Sequence, residues 1–253
     1  MKTALITGAT AGIGEACANI LAQNGYRLIL TGRRKDRLEN VAAQLVAKHN
    51  AQIHTLNFDV RDRAAVNEAI GNLPDEWKNI DLLVNNAGLA MGLAPFEDGN
   101  IDHWETMIDT NIKGLLYVSK AVLPQMIARN TGHIINISSI AGKEVYSMGN
   151  VYCASKHAVD ALTRSMRLDL AKYPVKVSMV CPGAVETEFS IVRFEGDVER
   201  AKKVYEGFEN LVADDIADAV WYIASRPPHV NVNDIVVMPT AQPMAGLIVR
   251  KQG

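Results

Sequence analysis

A chain of 253 residues with 48% apolar and 21% charged side chains has ample material for one large α/β domain or two small ones. Its net charge is −2, and the one basic cluster, GRRKDR at 32–37, is short and interleaved with an acid, so nucleic acid finds no electrostatic footprint. The opening MKTALITGATAGIG lacks the uninterrupted run of about 7–15 apolar residues of a signal peptide, and no stretch reaches the roughly 18 of a membrane span.

Three scattered cysteines, Cys17, Cys153 and Cys181, form no CxxC pair and stand near no histidine cluster, which argues against a disulfide framework or a metal site. Cys153 reads better as a small buried residue than as a reactive thiol. The expectation is a cytoplasmic protein with no metal and with neither membrane nor nucleic acid as partner.

The first predicted strand, TALIT (3–7), runs into TGATAGIG and a helix over 12–24. Glycines at a strand-to-helix turn let the backbone approach a pyrophosphate, whose charge suits the helix N-terminus. Gly8, Ala9, Thr10, Ala11, Gly12, Ile13 and Gly14 therefore form a candidate nucleotide loop, spaced Gly-x3-Gly-x-Gly rather than Gly-x-Gly-x-x-Gly. The second strand, RLILT (27–31), ends in Gly32, Arg33 and Arg34 before a helix over 36–48, where NAD-binding folds carry an acid for the ribose. Cations are unfavourable at a helix start unless an anion is present, and a guanidinium can grip a 2′-phosphate with two parallel bonds. The cofactor expected is NADP(H).

Strands follow at IHTLNF (53–58), DLLVN (81–85), HIINIS (133–138), KVSMV (176–180) and DIVVM (234–238). Helical stretches lie between them at 62–72, 102–129, 150–172 and 214–225. Apolar strands alternating with longer helices predict βαβ units, hence one doubly wound parallel sheet of Rossmann type with helices on both faces. With no Pro/Ser/Gly linker and no repeat, 1–253 reads as a single domain. The charged insertion at 184–212 breaks the rhythm and is expected to be a substrate lid. An apolar tail occupies 239–253.

Within the helix predicted at 150–172, Tyr152 precedes Lys156 by four residues, so both side chains leave one face about 5–6 Å apart. A phenol titrates near about 10, too high for proton transfer at neutral pH, and a nearby cation favours the phenolate. The spacing alone is compatible with ordinary helix surface.

The motifs TGATAGIG (7–14), FDV (58–60), NNAG (85–88), Asn111 in DTNIKG, ISS (137–139), YCASK (152–156) and PG (182–183) come in an order that resembles the short-chain dehydrogenase/reductase family along nearly the whole chain. The resemblance implies Tyr152 as general acid/base, with Lys156 lowering its pKa and binding the nicotinamide ribose. It implies Ser139, thirteen residues before the tyrosine, as the hydroxyl that polarises the substrate oxygen, in preference to Ser138. Asn111 would anchor a water-mediated proton path to the lysine. Asp59 and Val60 match positions around adenine, and Asn86, Ala87 and Gly88 lie under the cofactor in a partly structural role. Pro182, Gly183, Val185 and Thr187 match the segment that holds the carboxamide. All four active residues are present, which argues against a non-catalytic nicotinamide-binding regulator.

NNAGLAMG (85–92), WETMIDTNIKGL (104–115), TEFSIVRF (187–194) and MPTAQPMAGL (238–247) further resemble the NADP-dependent 3-hydroxy acid dehydrogenases of that family. The implied substrates are L-serine, L-allo-threonine and 3-hydroxypropionate, oxidised to a semialdehyde or β-keto acid; malonic semialdehyde would be reduced. A general carbonyl or 3-ketoacyl reductase is the alternative that the core motifs leave open. A substrate carboxylate needs a cation in a mostly apolar pocket. Arg193 is the first candidate, Lys143 the second, and Arg250 the third if the tail crosses to a neighbouring subunit. Tyr146 and Met148 are expected to shape the pocket. By family analogy the chain forms a homotetramer, with the tail at one interface and the apolar faces of 102–129 and 150–172 at another.

Overall fold

The computed structural model describes residues 1–251, so Gln252 and Gly253, the end of the tail predicted at 239–253, lie outside the described residues. Seven parallel strands form one sheet in the order β3-β2-β1-β4-β5-β6-β7. They are β1 Thr3–Thr7, β2 Arg27–Gly32, β3 Ile53–Asn57, β4 Leu82–Asn85, β5 Gly132–Ile137, β6 Val175–Pro182 and β7 Asp234–Val237.

Alternation along the strands sends neighbours to opposite faces. Ile6, Leu30, Val84 and Ile135 join one core with helices α1 (Gly12–Gln23), α2 (Lys35–His49) and α9 (Ala213–Ala224). Leu5, Ile29, Leu83 and Ile134 join the other, with α3 (Arg63–Gly71) and α5 (Leu115–Ala128). Both faces are covered, which is why the strands read as continuous apolar runs. The order reverses between β1 and β4, and the loops after the strands' carboxyl ends open there into a crevice.

The helix predicted over 102–129 is broken. It comprises α4 (Ile101–Ile108), a π-helical segment Asp109–Gly114, and α5. A π turn inserts a residue and re-aims side chains. Here it directs Asn111 inward, where Nδ2 donates to the Leu89 carbonyl at 2.8 Å and Oδ1 accepts from the Leu89 amide at 2.9 Å. Helix α6 (Asn150–Asp169) carries Tyr152 and Lys156.

The 184–212 insertion is only partly helical, with α7 (Phe189–Arg193) and α8 (Val198–Lys203). The tail folds back on its own chain. The Ala245 amide donates to Glu144 Oε2 at 2.8 Å, the Lys251 amide donates to the Gly207 carbonyl at 2.8 Å, and the buried Gln242 side chain accepts from the Ala184 amide at 2.8 Å. Within one chain, therefore, the tail covers the insertion and the segment after β5.

Candidate active site

A cleft of about 630 Å³ runs along the carboxyl ends of β1 to β6. At one end lies the glycine turn. Gly12 sits at φ +57, and a side-chain carbon there would come within 3.2 Å of Thr187. A Cβ on Gly14 would stand 2.3 Å from the Gly8 carbonyl oxygen, so only glycine lets the turn close onto the start of α1. Asn86 braces the turn from behind, Nδ2 donating to the carbonyls of Thr7 and Gly8 at 2.9 and 3.1 Å.

Of the nucleotide-loop residues, Gly8, Thr10, Ala11, Gly12 and Ile13 line the cleft. Ala9 and Gly14 do not. Ala9 is fully buried in the core, and Gly14 faces the Gly8 carbonyl.

Arg33 lines the cleft and reaches Asp59 Oδ2 at 3.7 Å with more than half of its side chain exposed. Arg34 lines it too, but its donors are engaged: Nε and Nη2 with Thr10 Oγ1 at 3.3 and 2.9 Å, Nη1 with Glu188 Oε2 at 2.9 Å. Asp59 accepts from Arg61 Nη2 at 2.7 Å. Burial of that carboxylate acts to raise its pKa, but the Arg61 and Arg33 guanidiniums outweigh it and hold the group below its ordinary value. Among the described residues, two buried hydroxyls lining the cleft, Thr31 Oγ1 and Thr110 Oγ1, have no partner within the chain. Open backbone at the glycines, arginines at the β2 end and unpaired buried hydroxyls fit a polar, phosphorylated dinucleotide.

At the other end Tyr152, Lys156 and Ser139 line the same cleft. Ser139 Oγ donates to the Pro182 carbonyl at 3.3 Å and accepts from the Ala141 amide at 3.1 Å. Ser138 is spent on structure, donating to the Lys156 carbonyl at 3.2 Å. Lys156 Nζ donates to the Ile137 carbonyl at 3.1 Å and stands 6.0 Å from the centre of the Tyr152 ring. Asn111 is one layer back, screened from the cleft by Gly88. A Cβ at Gly88 would meet Asn111 Oδ1 at 3.2 Å and Lys156 Nζ at 3.3 Å.

The titration of this pair differs from the sequence expectation. Burial pushes the Tyr152 phenol above its ordinary value, with Tyr146 adding to the rise, while Ser139 and the Arg193 charge pull it back. Burial likewise lowers Lys156, to about 8. Both groups lose water together, and desolvation is the leading cause of each shift. The cation that acts on the phenol is Arg193, whose Cζ lies 5.8 Å from the Tyr152 ring centre and 5.7 Å from that of Tyr146.

The structure separates the three candidate carboxylate partners. Arg193 lines the cleft, half-buried, with Nε donating to the Gly92 carbonyl at 3.1 Å. Lys143 is consumed by Asp160 and Asp234, at 2.5 and 2.9 Å, and does not line the cleft. Arg250 donates to the Glu206 and Val204 carbonyls of its own chain, fastening the tail rather than reaching the site. Tyr146 shapes the pocket as expected. Met148 does not; it sits exposed on a turn at φ +63. Cys153 is buried, and burial raises its pKa, which suits a packing role.

Arg33, Arg34, Asp59, Val60, Asn86, Ala87, Pro182, Gly183, Val185 and Thr187 also line the cleft. Sequence reading had not singled out Phe189, whose ring lies 5.7 Å from that of Tyr152, or Gln242, Ala245 and Ile248 of the tail. A phenylalanine at the start of a charged insertion was the available signal for the first. Nothing local marked the tail residues.

A doubly wound sheet with a glycine turn, and a Tyr/Lys/Ser cluster across the cleft from it, defines a dinucleotide-binding oxidoreductase. The chain belongs to the short-chain dehydrogenase family, whose model matches residues 2–197. It is 49% identical over 248 residues to an NADP-dependent 3-hydroxy acid dehydrogenase of Salmonella typhi, covering 98% of each chain. It is 42% identical over 250 residues to a serine 3-dehydrogenase of Rhizobium radiobacter, covering 99% of this chain and 98% of the other. Among solved structures, the closed form of a serine dehydrogenase complexed with NADP+ superimposes with a TM-score of 0.91 at 48% identity, covering 99% of this chain and all of the other.

Proposed function

We infer that this chain is an NADP-dependent oxidoreductase that moves a hydride between the nicotinamide and the hydroxyl-bearing carbon of small 3-hydroxy acids, L-serine, L-allo-threonine and 3-hydroxypropionate among them. The observation that carries the substrate class is Arg193, a cation brought beside the rings of Tyr146 and Tyr152 in the cleft. The relatives named 3-hydroxy acid dehydrogenase and serine 3-dehydrogenase support it.

NADP(H) supplies or accepts the hydride. Tyr152 Oη gives its proton to the substrate oxygen during reduction and takes it back during oxidation. Its raised pKa keeps it protonated at neutral pH, poised as the acid. The Ser139 hydroxyl holds and polarises that same oxygen. Lys156 places a cation behind the phenol, and Asn111 holds the Leu89 backbone beside it. Arg193 receives the carboxylate, setting the hydroxyl-bearing carbon at a fixed distance from Tyr152. Arg33 serves the 2′-phosphate, with Arg34, whose donors are held by Thr10 and Glu188, beside it on the same wall, and the 184–212 segment acts as the lid of this single domain. The protein works in the cytoplasm as a homotetramer.

The test is the initial rate of cofactor reduction with NADP and NAD in parallel on L-serine, L-allo-threonine, 3-hydroxypropionate and a secondary alcohol without a carboxylate. Activity on the hydroxy acids with NADP is expected. Activity on the plain alcohol alone would remove the substrate assignment while leaving the family.

A further inference from the structure

The short helix α7 is tied down at both ends. At its end, Arg193 and Gly92 exchange two bonds, Gly92 amide to Arg193 carbonyl at 2.9 Å and Arg193 Nε to Gly92 carbonyl at 3.1 Å. At its start, Glu188 accepts from Arg34 Nη1 at 2.9 Å and from Arg37 Nη1 at 2.7 and 2.9 Å. Thr187, next to it, lies over Gly12 of the nucleotide turn. The base of this strap is held on the β6 side, where the Glu186 amide donates to the Leu211 carbonyl at 2.8 Å. Residues 187 and 188 thus pass from β6 over the glycine turn to the start of α2.

We propose that Glu188 fastens residues 187–193 across the cofactor cleft through Arg34 and Arg37, a positioning residue that sets how fast the dinucleotide leaves, whether or not it carries a 2′-phosphate. The proposal rests on the reading that this cleft holds a nicotinamide dinucleotide.

Three features carry it. The contact joins residues 154 apart in sequence from opposite walls of the cleft, so opening that wall requires breaking it. Arg37 does not line the cleft, so its two short bonds to Glu188 have a use other than touching the cofactor. Arg34 is braced on Thr10 and aimed at Glu188, whereas among the described residues Arg33 makes only a 3.7 Å contact with Asp59. The two neighbouring arginines therefore divide the work: Arg33 reads the 2′-phosphate, and Arg34 anchors the strap.

The participating side chains are 43–51% exposed, so the ion pairs are individually weak and screened by salt. A fastening of that strength can open in every turnover. Phe189, between the two tied ends, packs on Tyr152, so a strap released at Glu188 also loosens the substrate end.

The experiment follows NADPH and NADH fluorescence as each cofactor dissociates from wild type, Glu188→Gln, Arg37→Gln and the double variant. Each single substitution is expected to speed release of both cofactors roughly 3- to 10-fold, and the double variant to add little more, because the two side chains form one contact. Amide hydrogen exchange of the cofactor-free variants should quicken across 187–193 and stay unchanged in the sheet, which also reports that they are folded. Faster exchange with non-additive release supports the fastening. Unchanged release rates overturn it. So does slower NADPH release with NADH unaffected, which would make Glu188 merely a charge that repels the phosphate. If the wild type binds neither cofactor, the reading of the cleft falls, and the fastening with it.

Discussion

Replacing Arg193 with methionine keeps the apolar stem and removes the guanidinium. The loss follows from what that group touches. Its Nε is committed to the Gly92 carbonyl, while its Cζ stands 5.8 Å from the ring of Tyr152, so the group is already anchored beside the reacting atoms. A carboxylate bound there, out of water, would be left without its cation. Removing one partner of such a pair costs about 2–4 kcal/mol, or roughly 30- to 900-fold in kcat/KM for L-serine or 3-hydroxypropionate.

A secondary alcohol without a carboxylate never uses the pair, and its kcat/KM should change less than about 3-fold, since one lost bond from Nε leaves the Gly92 amide still bound to the Arg193 carbonyl. The same substitution removes a charge that lowers the Tyr152 pKa. Oxidation needs the phenolate, so its rising limb should move to higher pH. Steady-state kinetics on both substrates across pH provide the assay. Equal losses on the acid and the plain alcohol would refute the reasoning, because Arg193 would then be holding the lid rather than reading the carboxylate.

Tyr152→Phe removes the proton donor without changing the ring that packs on Phe189; turnover should drop by about 10²–10⁴-fold. Cofactor affinity, measured by fluorescence titration, should stay within about 2-fold, and a variant that keeps most of its rate would sink the acid/base role. Lys156→Met should stabilise the fold at pH 7 by up to about 3 kcal/mol, because burial holds the lysine near 8 against an ordinary value of 10.5. The unfolded chain binds the extra proton between those values. Wild-type stability therefore rises from pH 8 to 10.5, and the advantage of the variant, read by denaturant titration, should shrink over the same window. His133, buried against Ser178 Oγ at 2.8 Å, is lowered to about 3, chiefly by burial. As pH falls from 6.5 toward 3 the unfolded chain takes a proton that the folded one refuses, so stability is lost in that window. His133→Gln should flatten that part of the acid-denaturation curve; an unchanged curve would assign acid lability to other groups.

The order of strands and helices was legible because the central strands are mostly apolar on both faces and the helices between them are long enough to cross over. The glycine turn was legible for the same local reason. Gly8 and Gly12 adopt positive φ and Gly14 touches backbone, demands that a sequence expresses directly as glycine. Tyr152 and Lys156 were legible as a pair because a helix converts a spacing of four into one face. The break in the helix at Asn111 was not. It depends on the Leu89 backbone, 22 residues away, accepting and donating to one side chain.

What the amino-acid order determined by itself was the alternation of elements, the nucleotide turn and which residue types could do the chemistry, because these are properties of neighbours along the chain. Only the tertiary structure set Arg193, which lines the cleft, apart from Lys143 and Arg250, which look like it as isolated cations. Asp160 and Asp234 come from a helix and a strand far apart in sequence to neutralise Lys143, and Arg250 is spent on carbonyls of the 184–212 insertion. The direction of the Tyr152 shift was likewise a tertiary result. Spacing on a helix sets how close a cation lies, but burial of the phenol, which packs against Phe189, sets how much water is lost, and here the loss of water is the larger effect.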